Sequence, residues 1–228
     1  MELSEDQYDF ARLERAIRLA EKHHIAVVVG TPTAAPPAWL TQKYPETLRM
    51  EPDGRRVAHG NRAQGSVTSP RYREYCRKIA EEMGKQFGHD ANVVGWQIDN
   101  ECGYGQMSYD EESRKQFQHW LKSKYKALEA LNDHWATAYW SQTYDSWGEI
   151  PIPVGGHNPG LMLDWKHFVT YAWRSYQQDQ IEALKKSIEP RQFITGNFMG
   201  YGFDSFDHYV MSKPLTFVSW DDYVGHGH

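Results

Sequence analysis

An apolar run, V-G-W-Q-I at residues 94–98, stops abruptly at Asp99-Asn100-Glu101. Two carboxyls and an amide at the end of a buried strand, with Gly103 and Gly105 close behind, have a specific use in glycoside hydrolysis. A Glu in that position protonates a glycosidic oxygen as general acid and then deprotonates water as general base. In retaining enzymes a second carboxylate, about 5 to 5.5 Å away, attacks the anomeric carbon. Crowding by Trp96 and Tyr104 is expected to disfavour ionised Glu101 and raise its pKa toward working pH. Asn100 is expected to hydrogen-bond a sugar hydroxyl such as the 2-OH, and the glycines to leave room for substrate. The alternative is structural: Glu101 caps the next helix or pairs with an arginine.

These groups need strands to carry them. Residues 9–23 place Phe10, Leu13, Ile17 and Ala20 on one helical stripe. After His23-His24 the run I-A-V-V-V-G-T has the unbroken β-branched character of a strand buried on both faces. Pro32, Pro36 and Pro37 forbid regular structure, and a polar loop is expected to about residue 68. Ser69-Pro70 starts a helix over 70–87, with Ser as N-cap and Pro at N1. V-V-G-W-Q-I is the next strand. Ser108 and Glu111 have capping-box spacing ahead of a third helix bearing Phe117, Trp120, Leu121 and Tyr125. A short helix over 127–137, a loop over 141–160 and a helix over 164–188 follow. Residues 193–195 and 215–219 read as strands, with a short helix near 205–212 between them.

Strands alternating with helices indicate an α/β fold around a parallel sheet. Each strand is followed at once by polar or otherwise unusual residues: Thr31-Pro32-Thr33, Asp99-Asn100-Glu101, Gly196-Asn197-Phe198 and Trp220-Asp221-Asp222. Reactive groups at the C-terminal ends of successive strands fit the active face of a TIM (β/α)8 barrel. A doubly wound sheet concentrates ligands at one switch point, and no Gly-rich phosphate fingerprint follows any strand. Only four strands are evident, and the first element reads as a helix with no strand before it. The expectation is therefore one domain, 1–228, forming an internal and incomplete part of a barrel.

The chain has 228 residues, 40% hydrophobic and 24% charged, with net charge -5. That charge disfavours nucleic acid and anionic membrane as partners. Aromatic residues reach 14%, including nine Trp and fourteen Tyr, which suits a ring-rich core or a sugar site. Two cysteines, Cys76 and Cys102, do not make a disulfide scaffold. The acidic N-terminus lacks the apolar core of a leader, and no run of 18 apolar residues occurs, so a cytoplasmic location is expected.

A set of motifs then acts together: G-T-P-T-A-A-P-P-A-W-L (30–40), H-G-N-R (59–62), T-S-P-R-Y-R-E-Y (68–75), G-W-Q-I-D-N-E (95–101), L-E-A-L-N-D-H-W-A-T-A-Y-W-S-Q (128–142), G-N-F-M-G (196–200) and S-W-D-D-Y (219–223). In this order the set closely resembles the glycoside hydrolase family 42 β-galactosidases. The resemblance implies a retaining enzyme acting on terminal β-D-galactosides from a (β/α)8 barrel, without a cofactor. Glu101 matches its acid/base glutamate and Asn100 the adjacent substrate-binding asparagine. Arg62 resembles an arginine that contacts galactose, although many relatives carry Arg-Arg where this chain has Arg62-Ala63. Trp140 resembles a tryptophan lining the sugar pocket. Asn197 and Asp221 fall in matching motifs at later strand ends. Relatives often form trimers, so a homo-oligomer is among the implied partners beside a β-galactoside.

Two departures stand out. Many relatives hold zinc on four cysteines; this chain has Ser66 at the first such position and no cysteine over 103–125, so no zinc is expected. In the family's strand order the chain corresponds to strands 3 to 6, and the nucleophilic Glu belongs at the end of the seventh. Asp221, Asp222 and Glu149 are not convincing replacements. The residue types alone also fit a catalytically inactive sugar-binding fragment, or another barrel glycosidase such as a β-mannanase or cellulase. Trp39 reads equally as a sugar-stacking ring or a loop anchor. His59, His119, His134, His157 and His208 lack metal spacing, and His226 and His228 read as a loop remnant. Tyr171, Trp173 and Tyr176 read as helix packing.

Overall fold

The computed structural model describes residues 1–102, 107–200 and 202–222. A short antiparallel hairpin, β1 (Glu2–Ser4) with β2 (Gln7–Tyr8), precedes the first helix, α1 (Ala11–Lys22). The sequence reading had no strand there. Asp6 turns the hairpin in a left-handed conformation, φ 58°, with its N–H donated to the Glu2 carboxylate. Then come β3 (Val27–Gly30), α2 (Ala38–Lys43), α3 (Pro70–Phe87), β4 (Val93–Ile98), α4 (Glu111–Tyr125) and α5 (Leu128–Trp135). Finally α6 (Pro159–Lys185), β5 (Phe193–Phe198), α7 (His208–Ser212) and β6 (Ser219–Trp220) complete the described elements.

The four strands β3 to β6 form one parallel sheet in chain order. Eight such strands close a (β/α)8 barrel; these four make an open arc of one, with the helices on its outer face. Ile17, Ile79, Met83, Trp96, Ile98, Ile181, Leu184 and Ile194 fill the layer between sheet and helices. A second, ring-rich cluster joins α3, α4 and α6 through Tyr72, Phe117, Trp165, Phe168 and Tyr176. Each such fully buried side chain contributes about 1.5–3 kcal/mol of transfer free energy. Helix α3 begins where the sequence placed it, with Ser69 Oγ accepting from Tyr72 N.

Several boundaries differ for local reasons. The stretch to residue 68 is not all loop: α2 forms after Pro37, flanked by 3₁₀ turns at Pro32–Ala34 and Pro45–Thr47. The cap of α4 is Asp110 rather than Ser108. Asp110 accepts from Ser113 N at 2.8 Å, and Ser108 instead donates its hydroxyl to Asp110. Helix α6 starts five residues early because Asn158 caps it and Pro159 opens it. Strand β6 is short because the Thr216 hydroxyl, not a ladder carbonyl, accepts from Ile194 N. Strand β3 is not buried on both faces: Val29 is 2% exposed but Val28 is 46%, since only its helix side is packed.

Candidate active site

Beyond Ile98 the backbone leaves the sheet through two left-handed residues, Asp99 at φ 57° and Glu101 at φ 48°, on either side of Asn100. Neither is glycine, so each conformation carries local strain. What holds the turn is polar and buried. Asp99 N donates to Thr31 Oγ1 at 2.8 Å, and Asn100 N donates to Asp99 Oδ1 at 2.6 Å. Asp99 Oδ2 accepts from Thr33 Oγ1 at 2.9 Å and from Tyr176 OH at 2.6 Å. Gln180 Oε1 accepts from Thr31 Oγ1 at 2.9 Å and lies 3.0 Å from Thr33 Oγ1. Burial raises the Asp99 pKa, and the donors from Tyr176, Asn100 and Thr33 oppose that rise.

Glu101 is 4% exposed at the C-terminal rim of the sheet. Its Oε2 lies 2.6 Å from Arg62 Nη1. The guanidinium N–H is not aligned on that oxygen, which has no hydrogen-bond partner among the described residues. The contact is therefore a close charge pair. Arg62 is half exposed and is offered by a stiffened loop. Gln64 Oε1 accepts from Gly60 N and Asn61 N, Asn61 Oδ1 accepts from Arg62 N, and Ala63 N donates to Ala34 O.

Asp221 follows β6 and donates its N–H to Phe198 O at 3.2 Å. Its carboxyl neighbours that of Glu101 and acts on its ionisation. Burial first, then this second carboxyl, raises the Glu101 pKa, while the Arg62 charge pulls it down. Asn197, near the end of β5, donates Nδ2–H to Asn100 Oδ1 at 3.2 Å. Three strand ends and one loop thus bring Glu101, Asn100, Asn197, Asp221 and Arg62 together. The pairing with an arginine, first weighed as a structural role for Glu101, coexists with a buried carboxyl whose pKa is raised.

Other residues fall elsewhere. Trp140 is 77% exposed with φ 62° and lines a separate hollow with Trp135, Tyr139 and His157. Trp96 does not crowd Glu101. Alternation puts its ring on the helix-facing side, where Nε1 donates to Gln192. Gly103, Tyr104, Gly105, His226 and His228 lie outside the described residues. Trp39 anchors a loop: Nε1 donates to Glu2 O, and the ring meets Tyr75 edge-on at 5.3 Å. Glu149 caps its own turn by accepting from Asp145 N and Ser146 N. Cys102 packs beneath the site with its thiol pKa raised by burial.

The family's zinc finds no thiolate set. Ser66 is buried and joins a chain of hydroxyls, Ser66 to Thr68 at 3.0 Å and Thr68 to Ser113 at 2.6 Å. Among the described residues no group of three or more His, Cys, Asp or Glu is arranged to hold a metal. These donors do not fit zinc. No described helix is long and apolar enough to cross a membrane. Sequence reasoning read Tyr176 as helix packing and Thr33 only as a strand-end residue, with no sign of their hydroxyl contacts to Asp99, and it did not single out Gln180.

The profile of glycoside hydrolase family 42, described as β-galactosidase, matches residues 1–228. β-Galactosidase BglY of Alicyclobacillus acidocaldarius is 39% identical over 98% of this chain and 32% of its own length. A Thermus thermophilus β-galactosidase is 38% identical over 92% of this chain and 33% of its own. The crystal structure of the β-galactosidase from Rahnella sp. R3 superposes with TM-score 0.93 at 35% identity, covering all of this chain and 33% of that one. The Marinomonas ef1 β-galactosidase gives 0.91 at 32% identity, covering 97% of this chain and 34% of that one. The chain spans about a third of the length of the curated relatives it matches. A full-length profile match, relatives near two-fifths identity and an acid-bearing rim on a parallel β/α arc agree: the chain belongs to glycoside hydrolase family 42.

Proposed function

We propose that this chain supplies the acid/base half of a retaining β-galactosidase that hydrolyses terminal β-D-galactosides. The observation that supports it most is the Glu101 carboxyl, buried at the strand ends between Arg62 and Asp221. Burial and the neighbouring carboxyl favour the protonated acid. In the first step Glu101 gives its proton to the glycosidic oxygen as the bond from anomeric carbon to oxygen breaks, while a second carboxylate forms the glycosyl ester. In the second step ionised Glu101 takes a proton from water, whose oxygen attacks the anomeric carbon and releases that carboxylate.

Asp221, at the end of the sixth strand in the family's order, acts on the ionisation of Glu101 and is read as its partner rather than as the nucleophile. The nucleophile is the seventh-strand Glu of the family resemblance. Asn100, oriented by Asn197, presents its amide N–H to the sugar, and Arg62 stabilises Glu101 once it has lost its proton.

The test is hydrolysis of lactose and of a dinitrophenyl β-galactoside by the protein that carries this chain and by its Glu101→Ala variant. Loss of about 10²–10⁴-fold on lactose, with turnover of the activated substrate restored by azide, is expected. Full activity of the variant on lactose would remove the assignment.

A further inference from the structure

We propose that Asp99 is a positioning residue: its buried carboxyl, held by Thr33 and Tyr176, locks the left-handed turn that aims Asn100 and Glu101 into the cleft. The inference rests on the acid/base reading of Glu101 but adds a residue that reading does not use.

Left-handed residues at Asp99 and Glu101 are unfavourable, and such outliers persist only where the surroundings over-determine them. Here the determinants are specific. One Asp99 oxygen receives Asn100 N–H; the other receives two hydroxyls, from the end of β3 and from α6. Every contact is a donor, which is what a carboxylate, accepting on both oxygens, requires. The anchors are themselves tied together. Tyr72 stacks on Tyr176 at 5.9 Å with a 9° tilt, and its hydroxyl donates to Thr33 O. Helices α3 and α6 and the end of β3 thus converge on one buried acid, two residues before the proton donor. Asp99 does not reach the sugar; it sets where Glu101 stands.

The test uses Asp99→Asn, which keeps the shape but turns one acceptor into a donor, and Tyr176→Phe, which removes one donor. A misaimed acid hurts substrates whose leaving group needs a proton far more than those that do not. For Asp99→Asn, kcat/KM on methyl β-galactoside is expected to fall at least about tenfold, and on dinitrophenyl β-galactoside less than about threefold. Tyr176→Phe should show the same asymmetry, more weakly, and carries the test if Asp99→Asn does not fold. The Glu101 carboxyl titration, followed by ¹³C NMR, should also move in either variant. Equal losses on both substrates with an unmoved titration would overturn the proposal. If the unsubstituted protein hydrolyses neither galactoside but the titration still moves, the functional reading fails and the positioning role stands.

Discussion

The Arg62 guanidinium and the Glu101 carboxylate approach to 2.6 Å without an aligned hydrogen bond, one partner half exposed and the other almost fully buried. Such a pair biases the proton of Glu101 without fixing it in place. The acid/base role proposed for Glu101, giving up a proton and then recovering one, calls for such an arrangement.

Replacing Arg62 with Ala removes the one influence that lowers the Glu101 pKa, so that pKa rises further. The basic limb of the kcat/KM profile, set by loss of the Glu101 proton, should move to higher pH. The kcat/KM at the optimum should drop about tenfold or more, the value of a charged contact. A limb that stays in place would show that Arg62 does not act on Glu101.

Asp221→Asn has the opposite sign. The neighbouring carboxyl raises the Glu101 pKa, and the amide removes its charge. The same limb should move to lower pH, and the double variant with Arg62→Ala should fall between the two. Steady-state rates across pH 4–9 on one activated galactoside would read both shifts; an upward move in Asp221→Asn contradicts the contact.

Trp96 is fully buried, with its indole N–H bonded to Gln192. Trp96→Ala should cost about 3–5 kcal/mol of stability, seen as a lower denaturant midpoint at unchanged m-value. A loss below about 1 kcal/mol would mean that the layer between sheet and helices is far looser than its packing indicates.

A chelator should leave melting temperature and activity unchanged. The Ser66–Thr68–Ser113 hydroxyl chain joins the residues after the Arg62 loop to α4. A fall in melting temperature with EDTA, reversed by zinc, would refute this.

Much of the arc was legible because local chemistry decided it. Ser69-Pro70 announced α3, and the apolar run into Asp99-Asn100-Glu101 announced β4 and put a carboxyl at its end. The meeting of Arg62, Asn197 and Asp221 at Glu101 needs three strand ends brought side by side, which motif order suggested but no spacing could measure. The side on which Trp96 faces followed from strand alternation, yet the neighbouring acid drew the reading toward the cleft. The hairpin at β1 and β2 was missed because five residues of strand, turned by Asp6, carry no periodicity. Tyr176 was read correctly as packing and incompletely as chemistry, since a stripe position says where a ring lies but not what its hydroxyl meets.

Gly95 has a reach beyond its own strand. A methyl group there would sit 2.3 Å from the Phe193 ring, which lies across it and meets Phe217 at 4.9 Å. Phe193 shares its strand face with Asn197, four residues nearer the rim. The bare glycine therefore lets an aromatic floor settle low in the bowl, and any side chain at 95 would lift that floor toward the amides, leaving a shallower berth for whatever sits above it.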